Sequence, residues 1–389
     1  MRFVEVGIID IEGQLRTRTF MQKLEEKLLK NGFGFDGSSL GIAPVEDSDL
    51  IAIPDPTTRK IFRRKNFAIT FYLSSIHKDG ETYAGCFRSL LSNYLEEYPY
   101  EPEVGVEIEF YVLGENNHND NYMRPWPLDE IKLVKLEFIN ELERLDYDIE
   151  FEHAEVGANQ HEITLGKNNP LKIADSITFF EYFAKGWFKE KGLEITFEPK
   201  PFPNLNGSGM HLHFSLKKDG KPISFLHDKE GRYFIGGVLH YCREIALATN
   251  QTINSYERLV PGFEAPCYIS WGVGNRSALI RIPSYRKSDE YRFEFRATDP
   301  LANPYLAIAA ILEAGKRGVE ECIEPPPLAN CNVYENKDFK TLPRSLKEAL
   351  EEAKRGSILK DIMGGFLFKL LIKRKEEELI DEFEKANLK

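Results

Sequence analysis

The sequence has 389 residues, a hydrophobic fraction of 42%, a charged fraction of 29% and a formal net charge of −11. That length suffices for two domains and a large core, and the negative charge argues against a general nucleic-acid surface. The start MRFVEVGIIDIEG has no signal-peptide pattern, no apolar run is long enough for a membrane span, and the scattered Cys86, Cys242, Cys267, Cys322 and Cys331 suggest neither a zinc site nor a disulfide framework, which fits a reducing cytoplasm.

Residues 1–95 are predicted to form a small α+β unit. RFVEVGIID, QLRTRTF and NFAITFYLS read as strands, MQKLEEKLLK as a short helix, and NGFGFDGSSLGIAPVEDSDL as a loop shaped by glycine, serine and aspartate turns. A helix over CFRSLLSNYLEEY, then PYEPE, leads to a larger α+β unit over 96–389. There DEIKLVKLEFINELERL, LKIADSITFFEYFAKGWFKEK and FIGGVLHYCREIALATN carry helical apolar spacing. NPYLAIAAILEAGKRGVEE is the clearest helix, with a proline in its first turn and Gly318 near its end. From Ser345 onward the chain reads as helical and strongly charged, with a solvated or subunit-facing surface at its end.

Three strand-like segments place chemistry two residues apart: Glu107 and Glu109 in VGVEIEFYVL, His211 and His213 in NGSGMHLHFSL, and Arg292, Glu294 and Arg296 in EYRFEFRATDP. Residues two apart on a strand share a face. An isolated E-x-E is usually a pair of exposed strand residues. Here Val104, Val106, Ile108, Phe110 and Tyr111 imply that both faces are covered, and covered carboxylates require cations. Glu155 and Glu162 bracket HAEVGANQHEI, by itself a loop with two acids. Hard divalent ions such as Mg²⁺ or Mn²⁺ take carboxylate oxygens and an occasional imidazole. Glu107, Glu109, Glu155, Glu162, Glu294 and His211 would supply that set for two or three ions.

Arg258, Arg276, Arg281, Arg292 and Arg296 form a local cationic group in an acidic chain, with Arg276 and Arg281 expected on a strand. Arginine forks match phosphate and carboxylate oxygens. Pro261-Gly262 and Pro266 bracket Phe263 and Glu264, a stiff-hinged loop holding one acid. FDGSS, with Asp36 and Ser39, is a turn by default.

Taken together, FDGSS, EDSDL with PDP, E-I-E at 107–109, EVGANQHE, NGSGMHLH, NSYERLVPGFEAP, NRSALIRIP, RFEFRATDP and NPYLA resemble the motifs of the glutamine synthetase family, in family order. The resemblance implies an α+β fold: an N-terminal β-grasp domain (1–95), then a catalytic domain (96–389) with a curved antiparallel sheet that binds ATP, metal and glutamate. It implies an ATP-dependent glutamate–ammonia ligase working through γ-glutamyl phosphate, with two to three Mg²⁺ or Mn²⁺ ions per subunit and ATP as substrate. Glu109, Glu155 and Glu162 would hold one metal, and Glu107, His211 and Glu294 the metal on the ATP phosphates. Arg276, Arg281 and Arg292 would grip those phosphates, with His213 and Ser215 near the nucleotide. Asn206, Gly207, Arg258 and Arg296 would bind glutamate. Asp36, Ser39, Tyr122 and Glu155 would form the ammonium pocket, with Asp36 as the proton acceptor and Glu264 on the flap that closes the site. The resemblance also implies a homo-oligomer, hexamer or dodecamer, with active sites between adjacent subunits, so that Asp36 would serve a neighbour's site.

Two departures from the family pattern bear on the acceptor. The loop reads EVGANQHE, where Asn159 can take a left-handed backbone, and His153-Ala154 precedes Glu155 where the family often has two histidines. A ligase using a polyamine or small monoamine is therefore the alternative reading, and a non-catalytic structural relative ranks below it. Tyr334, in NVYENKDF, falls where some members carry an adenylylated tyrosine, but without the acidic, proline-containing context of that site.

Overall fold

The computed structural model describes residues 1–114, 121–336 and 338–387. Its first sheet has seven strands. Leu15–Met21, Arg2–Ile9, Phe67–Lys78, Asp49–Pro54 and Phe33–Asp36 lie side by side, with Lys60–Arg64 and Glu81–Thr82 also paired to Phe67–Lys78. Arg2–Ile9 runs parallel to Phe67–Lys78, and the remaining pairs are antiparallel. The stretch 31–50, expected to be a loop, contains the strand Phe33–Asp36, which pairs with Asp49–Pro54. Phe35 is buried and Phe33 packs on Phe20 at 5.0 Å, so two aromatics suffice to anchor a strand too short for its alternation to be read. The helix expected over MQKLEEKLLK is a 3₁₀ turn, Gln22–Leu24, followed by an α-helix, Glu25–Asn31.

A second sheet, of nine strands, carries the rest of the molecule. Its order is Trp271–Val273, Ile280–Ile282, Phe293–Phe295, Met210–Lys218, Glu101–Leu113, Gln160–Asn168 and Ile149–Ala154, with Glu194–Thr196 and Lys221–Pro222 at its margins. Pairing is antiparallel except between Trp271–Val273 and Ile280–Ile282. Three long helices, Pro170–Glu190, Lys229–Tyr241 and Pro304–Glu320, supply much of the core. The last two cross so closely that a Cβ on Gly318 would lie 2.4 Å from the Gly237 Cα, which only glycine permits. Gly318 is thus a packing residue inside the helix.

The helical run expected over 234–250 breaks after Tyr241 and resumes as Ala246–Thr249. At the break, Arg243 reaches the Thr341 carbonyl (2.6 Å) and Glu352 (2.9 Å), while Glu244 accepts from the Ser357 and Ile358 amides. These tertiary bonds outweigh local propensity. The C-terminal helices are Leu346–Arg355 and Ile358–Asn387, the second interrupted at Gly364 (φ 70°). Ile380 and Phe383 are exposed on it.

One apolar core runs through both sheets and their helices. At the seam, Phe71 meets Phe179 at 4.9 Å and Phe62 meets Phe183 at 5.3 Å. Arg88 pins the seam with one guanidinium: it donates to Asp55 (2.8 Å), just after an N-terminal strand, and to both oxygens of Asp175 (2.8 and 2.9 Å) on the helix Pro170–Glu190. No helix among the described residues is long and apolar enough to cross a membrane.

Candidate active site

Strand register builds the site. Glu107 lies opposite His211, and Glu109 opposite Glu162, on the strands flanking Glu101–Leu113. Glu294 lies opposite His213 on one side and Arg281 on the other. Glu162 was expected in a loop but lies on Gln160–Asn168, and Glu155 follows the facing strand. Strands and strand ends spread over residues 107–294 therefore bring acids, imidazoles and guanidiniums to one place.

Two groups of donors lie within coordination reach of a single ion each: Glu107, His213 and Glu294, and His153, Glu155 and Glu162. His213 Nε2 and His211 Nδ1 each approach a separate Glu107 oxygen at 2.9 Å, and His211 Nδ1 also comes to 3.4 Å of Glu294. Both histidines of the pair thus face the first group. His153 Nε2 lies 2.9 Å from Glu155, and its Nδ1 lies 3.8 Å from Glu162. This histidine was absent from the expected ligand set. Its signal in the sequence was present, two residues before Glu155, but the strand end that turns both side chains the same way was not visible there.

The charges do not balance around the second group, which Glu109 adjoins across the sheet from Glu162. Burial and then the Glu155 carboxylate push Glu109 up to about 8. Burial, then Glu107, Glu109 and Glu155, push Glu162 well above the usual carboxylate range. Burial also pulls Glu107 and Glu294 upward, but neighbouring hydrogen-bond donors and positive charge win. His213 and His211 hold Glu107 well below its ordinary value, and Arg296 holds Glu294 at about 2. Buried carboxylates with raised proton affinity are what a divalent cation relieves, and the oxygen-rich donor set with an imidazole in each group fits a hard divalent cation.

A cavity of about 530 Å³ opens over this floor. Its walls include Glu107, Glu109, Glu155, Glu162, His211, Tyr122, Asn206, Gly207, Arg258, Glu264, Arg276 and Arg296. His213, Glu294 and Arg281 lie beneath or beside that wall: Arg281 donates to Glu294 at 2.7 Å, and Arg296 donates to its other oxygen at 2.5 Å. Arg276 sits in the turn before the strand Ile280–Ile282, not on it as expected, and donates to the Tyr285 hydroxyl (2.9 Å), as does Arg281. Arg292 is half-exposed, 3.8 Å from Asp289. Ser215 follows His213 on the same face of its strand, opposite Glu103.

Gln160 and Asn121, outside the expected set, also shape the cavity. Gln160 donates to Glu109 (2.9 Å) and to the Gly207 carbonyl (3.1 Å), joining a metal-binding candidate to the glycine-rich turn. Asn121 donates to the carbonyls of Glu155, Gly157 and Gln160 at 3.0–3.2 Å, which fixes the Glu155 turn beside Tyr122. Asn159 closes that turn in the left-handed region at φ 62°. Arg258 is buried, with its guanidinium donating to the Ala297 (2.7 Å) and Arg296 (3.1 Å) carbonyls.

The loop Pro261–Pro266 closes one side. Gly262 (φ 93°) and Glu264 (φ 58°) are both left-handed, a conformation that for glutamate is held only by surrounding contacts. Asn206 donates to the Glu264 carboxylate at 3.0 Å, Arg296 reaches its carbonyl at 3.4 Å, and Lys200 lies over the Phe263 ring at 3.4 Å.

Asp36 and Ser39 are not in this cavity. They sit on the surface of the small sheet, where Ser38 and Ser39 hydroxyls donate to the two Asp36 oxygens at 2.7 and 2.6 Å. These bonds, that from Ser39 foremost, hold the Asp36 carboxyl well below its usual range.

Comparison with known proteins decides the family. Residues 1–77 match the profile of the glutamine synthetase beta-Grasp domain, and residues 86–387 that of the glutamine synthetase catalytic domain. The chain belongs to the glutamine synthetase family. It is 39% identical to the glutamine synthetase of Pyrococcus horikoshii, over all of this chain and 92% of that protein. It is 35% identical to that of Thermotoga maritima, over 97% of this chain and 92% of the relative. Among solved structures, GmaS without ligand superposes with a TM-score of 0.90 at 25% identity, covering 98% of this chain and 94% of that one. The Plasmodium falciparum glutamine synthetase shares the fold with a TM-score of 0.88 at 24% identity, over 98% and 93% of the two chains. The β-grasp unit and the curled catalytic sheet expected from the sequence are those of the family.

Proposed function

We propose that this member of the family joins glutamate and ammonia into glutamine, with ATP as the energy source, in a homo-oligomer of the cytoplasm. Carrying the reading is the convergence of Glu107, Glu109, Glu155, Glu162, Glu294 and paired histidines beside buried arginines, in a chain of this family.

A carboxylate does not react with ammonia because its leaving group would be oxide. Transfer of the ATP γ-phosphoryl group to the glutamate γ-carboxylate breaks the bond to ADP and makes an acyl phosphate. Ammonia nitrogen then attacks the acyl carbon, and phosphate leaves. Arg276, Arg281 and Arg292 offset phosphoryl charge, with His213 and Ser215 on the nucleotide side. Asn206, Gly207, Arg258 and Arg296 hold the glutamate. Glu107, Glu294 and His211 or His213, and Glu109, Glu155 and Glu162 with His153, would hold two to three Mg²⁺ or Mn²⁺ ions, which would supply neutralisation of phosphate charge. Asp36 and Ser39, from an adjacent subunit, join Tyr122 and Glu155 around ammonium, and Asp36 accepts its proton. Glu264 and its loop exclude water that would hydrolyse the acyl phosphate. In this reading the β-grasp unit spans 1–95 and the catalytic unit 96–389, and the subunits assemble as a hexamer or dodecamer.

The test is purified protein with ATP, Mg²⁺ and glutamate, offered ammonium or a panel of amines, with phosphate and product measured. Glutamine formation saturating in ammonium is expected. Saturation by an organic amine with negligible ammonium turnover would replace ammonia by that amine, and no phosphate release under any combination would leave a structural role.

A further inference from the structure

Tyr334 lines the cavity, at the end where Arg258, Arg296 and Glu264 meet. Its hydroxyl is sealed from solvent, yet no described residue hydrogen-bonds it. A buried hydroxyl without a partner costs about 1–3 kcal/mol, so such groups in native proteins mark either a defect or a function.

The surroundings argue against a defect, because the segment bearing Tyr334 is fastened at several points. Asn332 caps the 3₁₀ turn Val333–Glu335 by accepting from the Tyr334 amide at 3.2 Å. The Val333 amide donates to Ser277 Oγ at 2.9 Å, and Asn275 donates to the Ala329 (2.8 Å) and Cys331 (2.9 Å) carbonyls. Asn275 and Ser277 flank Arg276. The phenol is therefore carried on a turn fastened to the one that bears Arg276, a phosphate-binding candidate, and it stands beside Arg258 and Arg296 at the cavity wall. Burial first, with Glu264 also contributing, pushes the phenol up to about 12 despite Arg296, so it is a neutral donor at any physiological pH.

We propose that Tyr334 is a substrate contact: its hydroxyl donates a hydrogen bond to a carboxylate oxygen of the amino-acid substrate. A neutral donor beside two arginines suits a carboxylate, because it adds a bond without adding charge. The inference rests on glutamate as the substrate of this cavity.

Tyr334→Phe removes the hydroxyl and keeps the ring. The variant should fold with an unchanged or higher melting temperature, because an unpaired polar group is lost. The KM for glutamate should rise about 10-fold or more, as expected for a lost bond to a charged group, with the KM for ATP unchanged. Glutamate titrated calorimetrically into the Mg²⁺-loaded protein should show the same weakening. A lower melting temperature with an unaltered glutamate KM would make the hydroxyl a structural group and overturn the inference. Equal rises in both KM values would do the same, as a general disturbance of the cavity. If the unaltered protein forms no glutamine, the proposed function fails, and the titration alone then decides Tyr334: equal glutamate affinities refute the contact, and a loss confined to the variant supports it.

Discussion

Arg281 and Glu294 stand opposite each other on paired strands, and Arg281 Nη1 donates to Glu294 Oε2 over 2.7 Å. Arg296 takes the other oxygen, so Glu294 is clamped as an anion between two buried guanidiniums. Glu294→Ala should therefore lose more than ATP–metal binding. It strands two buried charges and should destabilise the fold by about 3–5 kcal/mol, read from urea unfolding. Glu294→Gln retains an acceptor and should unfold nearer the wild-type midpoint while still losing metal–ATP affinity. An alanine variant as stable as wild type would show that the clamp carries no folding energy.

The ionisation of the free site predicts how cations bind. Glu109, raised to about 8 from an ordinary 4.5, holds a proton at pH 7 that a bound cation must expel. Apparent Mg²⁺ affinity should rise with pH and level off above about 8. The sign for stability is opposite without metal. Between 4.5 and about 8 the native state binds more protons than the unfolded chain, so this group's contribution to stability falls as pH rises. Glu162, also raised, acts in the same direction. Calorimetry at pH 7 in buffers of different ionisation enthalpy should reveal proton release that diminishes at pH 9. Release of no protons at pH 7 would contradict this assignment.

Arg88 tests the seam between the two sheets. It is bonded to Asp55 on one side and to Asp175 on the other, and Tyr305 also donates to Asp175 at 2.8 Å. Arg88→Ala leaves the mostly buried Asp175 without its counter-charge and should cost about 3 kcal/mol, visible as a lower urea midpoint. A change below about 0.5 kcal/mol, the range of an inert surface substitution, would mean that apolar packing alone holds the seam.

How far the sequence could be read depended on periodicity. Glu107 with Glu109, and His211 with His213, announced their shared face because a strand repeats every two residues. The long helices Pro170–Glu190 and Pro304–Glu320 were legible from apolar spacing. Gln160, Asn121 and His153 were not, because each acts through a turn or a cross-strand neighbour that has no local signature. The break after Tyr241 was invisible for a similar reason: the Arg243 and Glu244 partners lie about a hundred residues downstream. Tyr334 could be placed by motif, but that its hydroxyl lacks a partner is a property of the folded cavity alone.

Asp36 supplies the sharpest test of assembly. It is exposed, outside this chain's cavity, and its hydroxyl-bonded carboxyl stays ionised across the physiological range. An ionised acid with no chemistry near it in its own subunit gains a role only if a neighbour's site receives it. Asp36→Ala alone should lose most ammonia-dependent turnover while keeping nucleotide binding, and Glu109→Ala alone should lose turnover through the metal site. Co-expressed subunits bearing one substitution each should recover activity, because mixed rings place an intact Asp36 against an intact Glu109. With random mixing in equal amounts, about a quarter of the shared sites would pair two intact halves, so recovery to roughly that fraction of wild-type turnover is expected on the mass-action logic of symmetric, head-to-tail interfaces. Mixed assemblies as inactive as either parent would place Asp36 outside the neighbour's site and remove it from the ammonium pocket.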